Sequence, residues 1–269
     1  VSALALNCWI AAGVAILCWL LSVLTREYSW VDRIWSVVPA GYLWVFAAGS
    51  GFDARVTLMA ALVTLWAIRL TFNYARKGGY SPGGEDYRWK ILRSKMPPAA
   101  FQAFNIVFIA GYQNFLLLMI TLPAWTAAQH PTSLGAGDVI AAVVFLLLLT
   151  GETVADQQQW DFHRRKASGQ ASGFLTGGLF RYSRHPNFFC ELGQWWAIFA
   201  FGAIAAGTVA VWTVAGAVLL TLLFIGSTLF TESISASRYP GYADYRRRTS
   251  MLIPLPPRRQ RTAPAHPQP

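Results

Sequence analysis

Charge is what this sequence has least of. Only 13% of its 269 residues are Asp, Glu, Lys or Arg, against roughly 25% in ordinary soluble domains. Cysteine is nearly absent: Cys8, Cys18 and Cys190 all lie in apolar stretches, which excludes a disulfide framework and a Cys-x-x-Cys metal site. The histidines, His130, His163, His185 and His266, are scattered. No metal cluster and no Ser–His–Asp set can be read from them. No Gly-x-Gly-x-x-Gly follows a strand, so a Rossmann site is excluded. Internal repeats are missing too.

What the sequence has is apolar length. It is 55% hydrophobic with 12 Trp, and its mean hydropathy is +0.39. A membrane span needs about 20 mostly apolar residues. The stretches 4–24, 30–48, 56–73, 101–124, 139–154, 187–206 and 209–230 qualify, which predicts an all-α integral membrane bundle of seven transmembrane helices. Pro39 should break the second span. The fifth is short unless residues 152–163 continue the same helix, and nothing after Gly151 would stop it. The first lacks a basic start and a small-residue cleavage site, so it reads as a retained span and not a signal peptide.

The net charge of +10 is explained by the positive-inside rule and not by a nucleic-acid partner. Basic residues follow spans one, three, five and seven, while the opposite side holds only Arg55, and Arg69 lies within a span. This places the N-terminus outside and the C-terminus in the cytoplasm. Residues 1–257 read as one domain and 258–269 as a disordered, basic, Pro-rich tail.

The stretch GGLFRYSRHPNFFCELGQWW (177–196) concentrates polar chemistry. Pro186 suits the first position of a helix, and Asn187, Glu191 and Gln194 then share one helical face. Glu152, Asp156, Gln159 and His163 form a similar stripe on helix five, and Thr228, Glu232 and Ser235, with Arg238 below, on helix seven. Such stripes either fasten helices to one another or line a ligand cavity. Arg165, Lys166, Arg181 and Arg184 can grip phosphates, the start of helix six offers free N–H groups to an anion, and Tyr182, Tyr239, Tyr242 and Tyr245 can stack on flat rings. That inventory suits an elongated dinucleotide phosphate. A second set comprises Trp66, Arg69 and Asn73 on span three, Gln102, Asn105 and Tyr112 on span four, and Asp32, Trp35 and Ser36 at span two. These could line a lipid-facing pocket, with the loop 83–88 either capping it or simply solvated. Most of the tryptophans fit an interfacial belt.

GGLFRYSRHPNFFCE resembles the steroid 5-alpha-reductase C-terminal-domain family, closest to its bacterial membrane members of undefined substrate. DRIWS (32–36), GEDYRW (84–89), the Arg–His–Pro core and YADYRRRTSMLIPLPP (242–257) recur there in this order. The resemblance implies a seven-helix bundle in the bacterial inner membrane that binds NADPH and passes hydride to the activated C=C bond of a sterol-like or isoprenoid lipid. It implies no metal, and no protein partner is expected beyond membrane lipids. By position, Asn187 and Glu191 lie beside the cofactor and Arg165 at a phosphate. Lys166, Arg181, Tyr182, Arg184, His185 and Asp156 join them, with Glu232, Arg238, Tyr242 and Tyr245 in the C-terminal cofactor region. Ser36, Trp35, Trp66, Arg69 and Asn105 would contact substrate.

The sequence departs from that family in two places. The Gln-Glu-x-x-Pro element of span two is replaced by Ser36, Val37 and Val38 before Pro39, and the catalytic tyrosine of span three aligns with Trp66. Tyr87 or Tyr112 could supply the proton instead, and Asp32 could orient substrate. The Arg–His–Pro core also occurs in isoprenylcysteine carboxyl methyltransferases, so an S-adenosylmethionine-dependent methyltransferase is the alternative. A lipid carrier or scaffold without catalysis is the third reading.

Overall fold

The computed structural model describes residues 1–258. All but the first residue of the expected tail therefore lies outside the described residues. Among them there is no strand, only an isolated bridge between Ser183 and Ser250.

The helices are α1 (Ala3–Thr25), α2 (Trp30–Ile34), α3 (Val37–Gly49), α4 (Ala54–Arg76), α5 (Tyr87–Lys95), α6 (Pro98–Phe104), a π-helical segment (Asn105–Tyr112), α7 (Gln113–Met119), α8 (Leu122–Gln129), α9 (Ala136–Ala167), α10 (Pro186–Ala206), α11 (Val214–Arg238) and α12 (Tyr242–Arg248). Six helical stretches are long and apolar enough to cross a membrane: α1, α4, the run Pro98–Gln129, α9, α10 and α11. The chain is thus an integral membrane protein. The shorter apolar helix α3 does not reach that length.

Two boundaries differ from the sequence expectation. The second apolar stretch breaks at Trp35–Ser36, not at Pro39, which sits in the first turn of α3. The first four N–H groups of a helix have no partner inside it, so proline costs nothing there. The last span starts at Val214, not 209, and runs on to Arg238. Residues 207–213 form a loop in which Thr208 caps Ala210. The expected continuation of helix five is present: α9 has 32 residues, about 48 Å, well beyond the roughly 30 Å hydrocarbon core.

The chain divides into two compact units. The first comprises Val1–Leu149 with Leu192–Leu223, and the second Thr150–Glu191 with the described residues from Phe224 onward. In the first unit α3 packs on α4 through Tyr42, Leu43, Phe46 and Ala47 against Val56, Met59, Ala60 and Val63, none more than 1% exposed. Asp53 caps α4 by accepting from the N–H groups of Arg55 and Val56. Arg55 forks onto Asp138 at 2.6 and 2.9 Å and also donates to Thr132 and the Ser133 carbonyl. Arg55 is therefore fully partnered and buried.

Two glycines let backbones touch. A Cβ on Gly216 would lie 2.3 Å from the Met119 carbonyl oxygen, and one on Gly202 would lie 2.8 Å from that of Pro123. Small residues permit this close approach in membranes, where packing replaces hydrophobic drive. In the π-helical segment Phe104, Phe108 and Tyr112 stack in a column with centroid spacings of 4.9 and 5.4 Å.

Candidate functional site

The second unit is assembled on the Arg–His–Pro core. Gly178–Arg181 forms a 3-10 turn, and α10 begins at Pro186. The segment after α12 then runs back along residues 182–185. Arg184 N–H donates to the Ser250 carbonyl at 2.8 Å, His185 N–H to Met251 at 3.2 Å, and Leu255 N–H to Tyr182 at 2.9 Å. Tyr245 donates its hydroxyl to the Phe180 carbonyl at 2.5 Å. The two most motif-like stretches of the sequence, separated by more than fifty residues, thus hold one another.

Glu232 lies at the centre of this lock, 1% exposed in its side chain. Arg184 donates to both of its oxygens, at 2.6 and 3.1 Å. His185 Nε2 lies 3.1 Å from Oε1 and Arg246 Nε 3.2 Å from Oε2. Arg184 also donates to the carbonyls of Arg246 and Thr249. Arg184, His185 and Glu232 are therefore brought together, but by satisfying each other. Arg184 has its guanidinium committed before any phosphate arrives.

Beside the lock is a cleft of about 350 Å³ lined by Phe174, Thr176, Arg181, Gly241, Asp244, Tyr245, Arg248 and Thr249. Neither Arg181 nor Arg248 makes an ion pair among the described residues, whereas Asp244 pairs with Arg247. Phe174 packs against Tyr239, Tyr242 and Tyr245 at centroid distances of 5.5, 5.0 and 5.4 Å. Lys166 donates to Tyr239 at 2.8 Å and to the Gly173 carbonyl at 2.6 Å. That hydrogen bond from the ammonium holds the Tyr239 phenol below its usual range. Burial instead pushes Tyr242 up to about 12 and raises Tyr245 as well.

The three polar stripes are inward-facing: Glu152, Asp156, Glu191, Gln194, Thr228 and Glu232 are each at most 6% exposed. Asn187 is half-buried, while Arg165, Arg181, Tyr182 and Arg238 are exposed. His163 departs from the expected stripe. It is exposed, and Phe162 takes the buried place at the end of α9.

The residues expected to serve substrate lie in the first unit, in several places. Asp32 accepts from Trp89 Nε1 at 2.8 Å, so DRIWS and GEDYRW clasp each other. The loop 83–88 is tied down by Glu27 accepting from Gly83, Glu85 from Tyr28 and Ser29 from Asp86. Tyr87 is 49% exposed at the start of α5. Tyr112 is half-buried on the π-helical segment, 3.5 Å from the Leu219 carbonyl. Trp35 packs on the cluster around Tyr28 and Trp89. Ser36 shares a hydrogen bond with Thr71, Asn105 donates to Ser22, and Arg69 sits on α4. Trp66 meets Trp195 edge to face at 5.0 Å.

Sequence reasoning did not single out Phe174 or Arg248. Arg248 stood in a run of three arginines that read as membrane-flanking charge, and Phe174 carries no signal in the sequence.

Residues 18–249, most of both units, match the family described as a protein of unknown function, DUF1295. The chain belongs to that family. An uncharacterized protein of the fission yeast Schizosaccharomyces pombe is 36% identical to it over 258 residues, covering 88% of this chain and 75% of the yeast protein. No solved structure matches the chain. DUF1295 is related to the steroid 5-alpha-reductase-like membrane proteins. In this DUF1295 member the matched region takes in DRIWS, GEDYRW, the Arg–His–Pro core and the start of the C-terminal motif.

Proposed function

We propose that this protein is an NADPH-dependent membrane reductase acting on the activated C=C bond, an enone, of a sterol-like or isoprenoid lipid. The observation that carries the reading is the cleft of about 350 Å³ whose lining includes Arg181 and Arg248 together with the rings of Phe174 and Tyr245. Two guanidiniums without a carboxylate partner suit phosphate oxygens, and aromatic faces suit a flat heterocycle. The volume is at the lower end for ligand sites, roughly 300–1,000 Å³, enough for one end of a dinucleotide. These residues fit the group. Arg181 and Arg248 would hold phosphate, Phe174 and Tyr245, packed on one another, would offer an aromatic wall to a ring, and Asn187, Asp156 and Glu191 would supply polar partners along the α9 and α10 faces. NADPH supplies hydride when bound.

Arg184, His185 and Glu232 serve this site by fixing its wall and not by touching the ligand. Asp32, which accepts from the Trp89 indole, would orient substrate, and Tyr87 offers an exposed phenol as proton donor. In the membrane, α2 and α3 together serve as a seventh, broken crossing. The N-terminus then lies outside and the basic segments 76–95, 164–184 and 238–248 lie in the cytoplasm.

The experiment is a thermal-shift comparison of purified protein in detergent with NADPH and with S-adenosylmethionine. Stabilisation by NADPH alone is expected. Stabilisation by S-adenosylmethionine alone would replace this reading with the methyltransferase, and no response to either would leave the carrier.

A further inference from the structure

The first unit carries a knot of cations where α1 ends. Arg26 follows the last residue of α1 with a φ of 57°, the left-handed conformation that favours glycine. A long side chain is kept there against a backbone cost. Arg93 of α5 donates to the Arg26 carbonyl at 3.3 Å, which brings the two arginines together. Lys90 lies one helical turn before Arg93 on α5. Its charge reaches the same place: the Gly83 N–H, the Arg33 guanidinium and the Lys90 ammonium hold the Glu27 carboxyl below the usual carboxylate range.

Two carboxylates share this neighbourhood, and both are engaged. Glu27 accepts from the Gly83 N–H at 2.9 Å and from Arg33 at 2.6 Å. Glu85, its side chain 4% exposed, accepts from the Tyr28 N–H at 2.8 Å and lies 3.9 Å from Arg93. Arg26 and Lys90 are exposed and make no ion pair among the described residues. Arg93 remains 43% exposed. With Arg33, four cations meet two carboxylates, so positive charge is in excess.

Helix α1 leads to this point with an apolar stripe. Its buried face is Asn7, Ala11, Cys18 and Ser22. Leu17, Leu20 and Leu24, spaced by three and four residues on the other side, are 54, 43 and 78% exposed. A ligand that suits both features has hydrocarbon along the stripe and an anion at its end. The positive-inside rule accounts for cations on one side of a membrane. It does not account for their convergence at the end of one stripe, nor for an arginine where the backbone favours glycine.

We infer that Arg26, Lys90 and Arg93 bind the phosphate of an anionic phospholipid whose acyl chain lies along Leu17, Leu20 and Leu24. Guanidiniums take phosphate oxygens in pairs, and the ammonium adds a point charge. A zwitterionic lipid has the same phosphate but brings its own cation, so it gains less from the excess of positive charge. The site stands independently of the reductase reading.

The test uses the full chain in detergent, with bound lipid counted by native mass spectrometry over a titration. The probes are phosphatidylglycerol, phosphatidylcholine and glycerol 3-phosphate. Phosphatidylglycerol should bind about tenfold more tightly than phosphatidylcholine. Arg26→Gly supplies the residue the backbone favours, so it should melt no lower than wild type and still bind phosphatidylglycerol about fivefold more weakly. Adding Arg93→Gln should bring the loss to about thirtyfold. Arg164→Gln with Arg258→Gln removes two exposed charges from the second unit and should leave the binding as in wild type. The inference falls if phosphatidylglycerol binds no more tightly than phosphatidylcholine, or if folded Arg26→Gly keeps the wild-type affinity. It falls too if glycerol 3-phosphate displaces the lipid, which would make this a site for a free anion.

Discussion

Arg184→Met is the most informative single substitution in the second unit. Arg184 and Glu232 have side chains only 8% and 1% exposed, so their pairing is little screened. The guanidinium makes two bonds to the carboxylate and two to the carbonyls of Arg246 and Thr249. A hydrogen bond to a charged group contributes roughly 1.5–3 kcal/mol. Breaking a buried pair costs about 3–5 kcal/mol. His185 and the more exposed Arg246 remain to offset part of the loss, which favours the lower half of that range. At about 2–4 °C per kcal/mol for a chain of this size, the melting temperature should fall by roughly 6–15 °C. Glu232→Leu should cost a similar amount, since it strands the Arg184 guanidinium and takes the carboxylate from His185 and Arg246. The double variant, with an apolar pair in place of the ionic one, should cost less than the sum by about 2–3 kcal/mol. The assay is a double-mutant cycle read by thermal unfolding in detergent. Strict additivity, or an Arg184→Met protein as stable as wild type that has lost nucleotide binding, would show that Arg184 is a ligand contact and not a lock.

Other substitutions test the remaining parts. Gly216→Ala pushes a methyl group toward the Met119 carbonyl, whereas a Cβ at Gly226 meets nothing within 4 Å. The first should lose about 1–3 kcal/mol and the second gain about 0.5–1 kcal/mol, both measured as unfolding free energies. Asp32→Leu strands the Trp89 indole N–H and should cost about 1–3 kcal/mol of unfolding free energy, whereas Asp32→Asn, which keeps an acceptor for it, should cost less. Phenolate absorbance should show Tyr239 ionising before Tyr242 and Tyr245, because Lys166 donates to it while burial holds the others up. Tyr239→Phe should delete that earliest phase.

The apolar runs made the spans legible, since hydrocarbon demands length and little else. Polar stripes at helical spacing were legible as inward faces for the same reason. Their partners were not, because Arg184 meets Glu232 across forty-eight residues of sequence and no local pattern encodes that pairing. Arg184 and Arg248 look alike in the sequence; only the fold commits one guanidinium to a carboxylate and leaves the other at a cleft. The break in the second apolar stretch was assigned to Pro39 because proline is the strongest breaker. It falls at Trp35–Ser36 instead, where Asp32 and Trp89 join α2 to α5.

The central claim is that the cleft lined by Phe174, Arg181, Tyr245 and Arg248 receives a phosphorylated dinucleotide. Titration of NADPH into the purified protein, followed by tryptophan fluorescence, tests it most directly when run beside the Arg181→Ala, Arg248→Ala double variant. Saturable quenching in wild type that the folded double variant loses, and that weakens as salt rises, is the predicted result. Saturable binding that the double variant retains in full, or no binding by wild type at all, would contradict it.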